Sequence, residues 1–184
     1  MIAFAVPVYI AMLRGINVSG HRIIKMEQLR ASLAAVGLGN VKTYVQSGNV
    51  AFEAPNDSVA NLRRKIEEKI LRDFGFSAPV LLTTSTEMEK IIKRNPFPKA
   101  PAIDQSKLHV TFLSDDPPKS AVEQLRPLAG AHEQYRIIGR EIYLYCPNGY
   151  GNTKLSNTAI EKKLSVGATT RNWKTVNTLL AMTE

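Results

Sequence analysis

Between Leu13 and Arg22 the chain reads Leu-Arg-Gly-Ile-Asn-Val-Ser-Gly-His-Arg, setting two glycines, an asparagine, a serine and two arginines within one short stretch. Residues of these types do one kind of chemistry well, which is to hold an anion. Glycines let backbone N–H groups turn inwards, and the Arg14 and Arg22 guanidiniums offer forked donors to phosphate or carboxylate. The gap between Gly15 and Gly20 is that of a phosphate-binding loop, yet His21-Arg22 stand where that motif needs Lys-Ser or Lys-Thr. The expectation is a looser nest, with Arg14, Gly15, Asn17, Ser19 and Arg22 as candidate ligand-binding residues. The plainer alternative is a strand-to-helix connection whose glycines permit positive φ.

Three further stretches carry candidates. Asn148-Gly149-Tyr150-Gly151-Asn152-Thr153-Lys154 is a second glycine loop, in which Lys154 can serve as a point charge for phosphate or simply end a flexible connection. Thr170-Arg171-Asn172-Trp173 opens a helix, so Arg171 and the capping Asn172 sit at an anion-friendly terminus. Trp173 suits stacking on a base or partner, or packing against a core. Gln46 and Ser47 precede Gly48-Asn49 and are weaker candidates. The pattern is not G-x-S-x-G, and a hairpin turn accounts for Gly48 and Asn49 without any nucleophile. No catalytic residue is assigned. His21, His109 and His132 stand in separate elements without ligand spacing, so no metal is expected, and no cofactor is called for.

Composition bounds the rest. A chain of 184 residues with 44% hydrophobic and 22% charged residues can bury a real core in one large domain or two small ones. The lone cysteine, Cys146, rules out an intrachain disulfide and reads as a buried thiol in a reducing, cytoplasmic compartment. No apolar run approaches the roughly 20 residues of a membrane helix, and the short apolar start before Leu13 lacks early positive charge. A net charge of +8 suits nucleic acid or a phosphorylated small molecule as partner, or a solvated basic surface.

The elements that must position these residues follow from periodicity. Pro7 to Leu13 reads as a buried strand. Met26, Leu29, Leu33 and Val36 mark a helix face closed by Gly37. Val41 to Gln46 and Val50 to Phe52 flank the Ser47-Gly48-Asn49 turn. A helix runs from an Asp57 or Ser58 cap to Phe74, and Gly75 stops it. Pro79 to Thr83 is a strand, followed by a short helix carrying Met88, Ile91 and Ile92. After the Pro-rich break from Asn95 to Pro101 the order returns. Leu108 to Leu113 is a strand and Ala121 to Leu128 a helix. Tyr135 to Ile138 and Ile142 to Tyr145 flank Gly139-Arg140, and Asn157 to Leu164 is a helix. Ala168 to Thr170 is a strand, and a last helix is capped by Asn172. The expected fold class is α+β: two ferredoxin-like βαββαβ subdomains by internal duplication, each with an appended helix, over residues 1–95 and 107–184 with a linker at 96–106. His109, Thr111, Tyr143 and Tyr145, read as one phase of the second sheet, are either a base-stacking platform or core.

Several strings are distinctive together: L-R-G-I-N-V-S-G from Leu13, T-Y-V-Q-S-G-N-V-A-F from Thr43, N-P-F-P at Asn95, G-R-E-I-Y-L-Y-C-P-N-G-Y-G at Gly139 with Lys154-Leu155, and A-T-T-R-N-W at Ala168. From Tyr9 to Leu180 the chain resembles the bacterial domain-of-unknown-function family 1697. Ser19 stands where that family often carries glycine. The resemblance implies a cytoplasmic, two-subdomain α+β protein and supplies no activity, cofactor or catalytic residue. The functional expectation is binding of an anionic ligand, nucleic acid or nucleotide, through the basic glycine loops. A small-molecule enzyme of transferase or phosphate-handling type and a protein-interaction adaptor are the alternatives. With β1 and β3 taken as parallel, the Leu13–Arg22 loop and the Ser47 turn fall at opposite ends of the first sheet. A ligand at the first loop is then completed from the second half, with Lys154 and Arg171 as the basic contributors.

Overall fold

The near-continuous apolar run Val8–Leu13 forms β1, and from Tyr9 to Leu13 every side chain on either face is buried. A computed structural model describes residues 6–55, 57–97 and 103–184. In the first half β1 is followed by α1 (Met26–Ala34), β2 (Gly39–Tyr44), β3 (Asn49–Glu53), α2 (Val59–Phe74), β4 (Val80–Thr84) and α3 (Ser85–Lys93). In the second half come β5 (Leu108–Leu113), α4 (Ala121–Leu125), β6 (Gln134–Ile138), β7 (Glu141–Tyr145), α5 (Asn157–Leu164), β8 (Ala168–Asn172) and α6 (Trp173–Ala181). The strand orders are β2-β3-β1-β4 and β6-β7-β5-β8, antiparallel at every pairing. This is the split βαβ plan written twice.

The chain divides into two compact units, Met1–Glu89 with Thr178–Glu184, and Lys90–Asn177. The dividing point lies within α3, ahead of the Pro-rich stretch, of which Pro98 to Pro101 lie outside the described residues.

In the first unit α2 shows why the local sequence folds as it does. Ser58 Oγ accepts the Asn61 N–H, Gly75 ends the helix in the left-handed region at φ 77°, and Leu62, Ile66 and Ile70 form the buried stripe. That stripe packs with Leu29 and Leu33 of α1 on the Tyr9, Ala11, Leu13, Val50 and Phe52 face of the sheet. Each such side chain contributes roughly 1.5–3 kcal/mol on burial.

The second unit repeats the first in register. Met12 faces Asn49 and Leu13 faces Val80, while Phe112 faces Glu141 and Leu113 faces Ala168. Leu13 N–H donates to the Gly48 carbonyl at 2.8 Å, and Leu113 N–H to the Arg140 carbonyl at 2.9 Å. Even a helix-borne carboxylate recurs, Glu67 accepting from Val80 N–H and Glu161 from Ala168 N–H. Residue identity between the halves is low, yet these positions perform the same tasks.

Two readings from sequence are corrected here. β1 and β3 are antiparallel, because the parallel pair in a split βαβ is β1 and β2, and the hairpin reverses the chain into β3. The Leu13–Arg22 loop and the Ser47-Gly48 turn therefore lie at the same end of the first sheet. The second concerns His109, Thr111, Tyr143 and Tyr145, which do not share a phase. His109 pairs with Leu144 and Thr111 with Ile142, so the tyrosines point to the opposite face. There Tyr143 is buried and donates its hydroxyl to the Ile91 carbonyl at 2.7 Å, and Tyr145 lies 6.3 Å from the Phe97 ring. Tyr143 is core and Tyr145 is half-buried beside Phe97, so the four residues do not form one stacking face.

Cys146 is fully buried among Leu144, Leu155, Ile160 and Leu164. Burial pushes its thiol up to about 11, and burial pushes the Tyr143 phenol up to about 12. Both are neutral in the fold, whereas the unfolded chain ionises earlier. Stability is therefore intact below pH 9 and falls as pH climbs towards 11, by about 2 kcal/mol for the thiol. Urea midpoints at pH 8.5 and pH 11 should show this drop, and Cys146→Ala should make it shallower. An unchanged pH dependence in the variant removes the thiol as its source.

Candidate functional site

The loop after β1 is a short finger. Val18 and His21 form an isolated bridge, with His21 N–H donating to the Val18 carbonyl at 2.9 Å around Ser19 (φ 50°) and Gly20 (φ 76°). Positive φ at both central residues is the geometry of a type I′ turn. One step out, Asn17 N–H donates to the Arg22 carbonyl at 3.1 Å, and Asn17 and Arg22 themselves hold φ of 53° and 51°.

The Asn17 amide fixes the base of this finger. Its Oδ1 accepts from Ile24 N–H at 2.8 Å, while Nδ2 donates to the Ile24 carbonyl at 3.0 Å and to the Gln46 carbonyl at 2.6 Å. That last bond ties the finger to the β2–β3 turn. Gly48 holds the other side of the joint. A Cβ there would fall 2.7 Å from Leu13 Cβ and 2.8 Å from Ile16 Cδ1, and its φ is 76° besides. Asn49 is fully buried and donates Nδ2 to the Tyr44 carbonyl at 3.0 Å and to Ser47 Oγ at 2.9 Å. The β4 lead-in joins the same end, where Arg14 N–H reaches the Pro79 carbonyl at 2.8 Å.

The arrangement separates groups that build the joint from groups that face outwards. Asn17 and Asn49 are engaged on all sides. Ser19, Gly20, His21 and Arg22 are exposed, and among the described residues neither the Ser19 hydroxyl nor the Arg22 guanidinium has a hydrogen-bonding or ionic partner. Gly15 lies under that guanidinium, since a Cβ at Gly15 would come 3.6 Å from Arg22 Nη1. Arg14 is half-buried. Around these polar groups stand Val18, Ile23 and Val45, which are 57%, 58% and 51% exposed. Val45 also holds φ 50°, a conformation that a β-branched residue adopts only under constraint. Strained residues held by an over-determined frame are found where a surface has a task.

The sequence candidates thus fall in two places. Arg14, Gly15, Asn17, Ser19, Arg22, Gln46 and Ser47 gather at one end of the first sheet, with Asn17 as its fastener and Ser47 held by Asn49. Lys154, Arg171, Asn172 and Trp173 belong to the second unit. Lys154 is exposed and follows a short helical turn, Tyr150–Asn152, whose Tyr150 ring stacks on His109 at 4.9 Å. His109 faces Asn172 across the sheet, so that loop and the start of α6 share an end. Asn172 Oδ1 accepts from Thr175 N–H at 2.8 Å, the cap expected of it. The Arg171 guanidinium is buried and donates to Thr169 Oγ1 at 2.8 Å and the Thr170 carbonyl at 3.0 Å. Trp173 is half-buried. Sequence reasoning missed the exposed Val18, Ile23 and Val45 and the buried amide of Asn49. The Ser19-Gly20 dipeptide was the available signal, since those residues suit a tight hairpin.

A family model for proteins of unknown function, DUF1697, matches residues 6–143. The chain belongs to this family. A solved structure of similar fold is the conserved bacterial protein SP0830 from Streptococcus pneumoniae, with a TM-score of 0.76 and 23% identity over 98% of this chain and 100% of that one. None of the curated proteins matches. Among the described residues no helix is long and apolar enough to cross a membrane.

Two substitutions at the joint should move stability in opposite directions. Gly48→Ala meets both a steric clash and positive φ, and should cost roughly 2–4 kcal/mol in urea unfolding. Val45→Asn relieves a strained, exposed residue and should gain roughly 0.5–1 kcal/mol. A neutral Gly48→Ala contradicts the packing described.

Proposed function

We propose that this protein binds phosphate-bearing ligands, nucleic acid foremost, at the paired-loop end of its first unit, in a reducing cytoplasmic compartment suited to the lone buried Cys146. One observation supports this reading above others: Asn17 locks the finger and the turn into one frame, while the Arg22 guanidinium and the Ser19-Gly20 tip are left facing outwards. A frame so fixed loses little conformational freedom when an anion arrives. Arg22 and His21 meet phosphate oxygens, and the tip N–H groups of Ser19 and Gly20 add directed donors. Val18, Ile23 and Val45 offer apolar contact to sugars and bases beside them. An overall charge of +8 strengthens the approach of a polyanion from a distance.

A nucleic acid fits this surface better than a mononucleotide, because the exposed apolar residues extend the contact beyond a single phosphate. Binding of labelled mixed-sequence oligonucleotides, read by fluorescence anisotropy across salt, tests the proposal. Affinity should fall with salt, by a log–log slope of about 0.9 per phosphate on duplex or about 0.7 on single strands. Arg22→Ala should remove about one such increment and leave thermal stability within about 0.5 kcal/mol of the parent. Absence of binding at about 50 mM salt, or a slope near zero, rules the reading out.

A further inference from the structure

We infer that the outer edge of β6 in the second unit receives an extended, acidic peptide segment of another protein, which adds a strand beside it. The first observation is a difference between two otherwise matching units. In the first, nine-residue α1 packs along the edge strand β2, and Arg30 Nη1 donates to Thr43 Oγ1 at 2.6 Å. In the second, α4 is only five residues long, because Pro127 turns the chain into a 3-10 helix at Arg126–Leu128. Among the described residues α4 reaches β6 through the Tyr135 hydroxyl on the Val122 carbonyl but packs along it less than α1 does along β2. The space left is an open groove of about 390 Å³, lined by Val122, Arg126, Glu133, Tyr135, Arg136 and Ile137 along with Gln134.

The backbone of β6 completes the site. Gly139-Arg140 closes a two-residue hairpin between Ile138 and Glu141, and ladder bonds alternate back from that closing pair. Ile138, Arg136 and Gln134 therefore bond to β7, whereas Tyr135 and Ile137 turn their N–H and C=O outwards. The Tyr135 carbonyl accepts only a movable donor, Arg136 Nη1 at 2.8 Å. Tyr135 and Ile137 pack against the helix-side core, and the Tyr135 hydroxyl reaches the Val122 carbonyl. Beside such an edge an added strand places alternate side chains over Val122, Tyr135 and Ile137, and the rest on the face of Arg136. Edge strands flanked by a helix take peptides in this way, with main-chain bonds for affinity and alternate pockets for specificity.

Charge settles the occupant. Arg136 lies in mid-strand on the far face, and Arg140 is exposed at the adjoining hairpin. On the helix side Arg126 pairs with Glu123 at 2.6 Å, and Glu133 accepts from Gly130 N–H and Thr153 Oγ1. Those donors to Glu133 are neutral, so the helix side holds no positive excess; the positive face is the far one, where carboxylates opposite Arg136 meet its guanidinium. A second copy fits poorly, since antiparallel self-pairing centred on β6 sets Arg136 against Arg136.

A heptapeptide alternating glutamate and valine, with an alternating lysine and valine peptide as control, provides the probe. Titration of the full chain followed by ¹H–¹⁵N NMR should shift the Tyr135 and Ile137 amides and slow the exchange of Ile137 N–H with water. Arg136→Glu should weaken the acidic peptide at least tenfold. Ile137→Pro removes an outward N–H at an edge position where proline is tolerated, and should abolish binding. If Ile137→Pro does not fold, Arg136→Glu decides alone. Equal binding of both peptides, shifts confined to other elements, or a concentration-dependent dimer lost in Arg136→Glu each overturn the proposal. Oligonucleotide binding reports on the first unit and leaves this result independent.

Discussion

A single backbone hydrogen bond, from Leu13 N–H to the Gly48 carbonyl, governs the loop end of the first unit. It forms because β3 runs antiparallel to β1, and at this joint Gly48 sits so close that a Cβ would fall 2.7 Å from Leu13 Cβ and 2.8 Å from Ile16 Cδ1. Once the two chains touch there, Asn17 can span from its own loop to Gln46. The finger and the turn then become one object. Remove the close approach and the Asn17 amide loses its partner on the turn, the Gln46 carbonyl. The exposed chemistry rests on a buried steric fact.

The elements themselves were legible in the chain. Hydrophobic period, the Ser58 cap, Gly75 and the Gly48 and Gly139 turns are local signals, and local signals locate helices, strands and hairpins. The α+β duplication followed from their order. What failed was strand direction, and the failure had a physical cause. Direction in a split βαβ depends on which strand slips between the parallel pair, a long-range fact with no residue of its own to announce it. One inverted pairing placed the two most distinctive motifs at opposite ends of the sheet, and with it went the reason to complete the first site from Lys154 and Arg171.

The candidate residues were legible as types but not as roles. Asn17 and Arg22 are both polar members of one glycine-rich string, yet one is engaged in three hydrogen bonds and the other faces outwards. Arg171 and Lys154 were both cations beside helices, yet one guanidinium is buried against Thr169 and the other side chain is exposed. Sequence spacing cannot distinguish a residue that builds a surface from one that presents it, because the difference is made by neighbours distant in the chain. Burial and hydrogen-bond occupancy make the distinction directly.

Duplication sharpens that point, because the two units offer the same scaffold with different surfaces. After β1 the connection carries Arg14, His21, Arg22 and Lys25. After β5 the matching connection is Ser114-Asp115-Asp116-Pro117-Pro118-Lys119-Ser120, with Ser114 Oγ donating to Asp115 and accepting from Gly167 N–H. The second version is shorter and carries two aspartates against one lysine. Conversely, α1 packs along the edge strand of its sheet, and the shorter α4 packs less along β6. A basic strained finger on one copy and a vacant strand edge on the other are departures from a shared plan. Since both units keep the same strand order, the departures change what each unit presents and not how it folds.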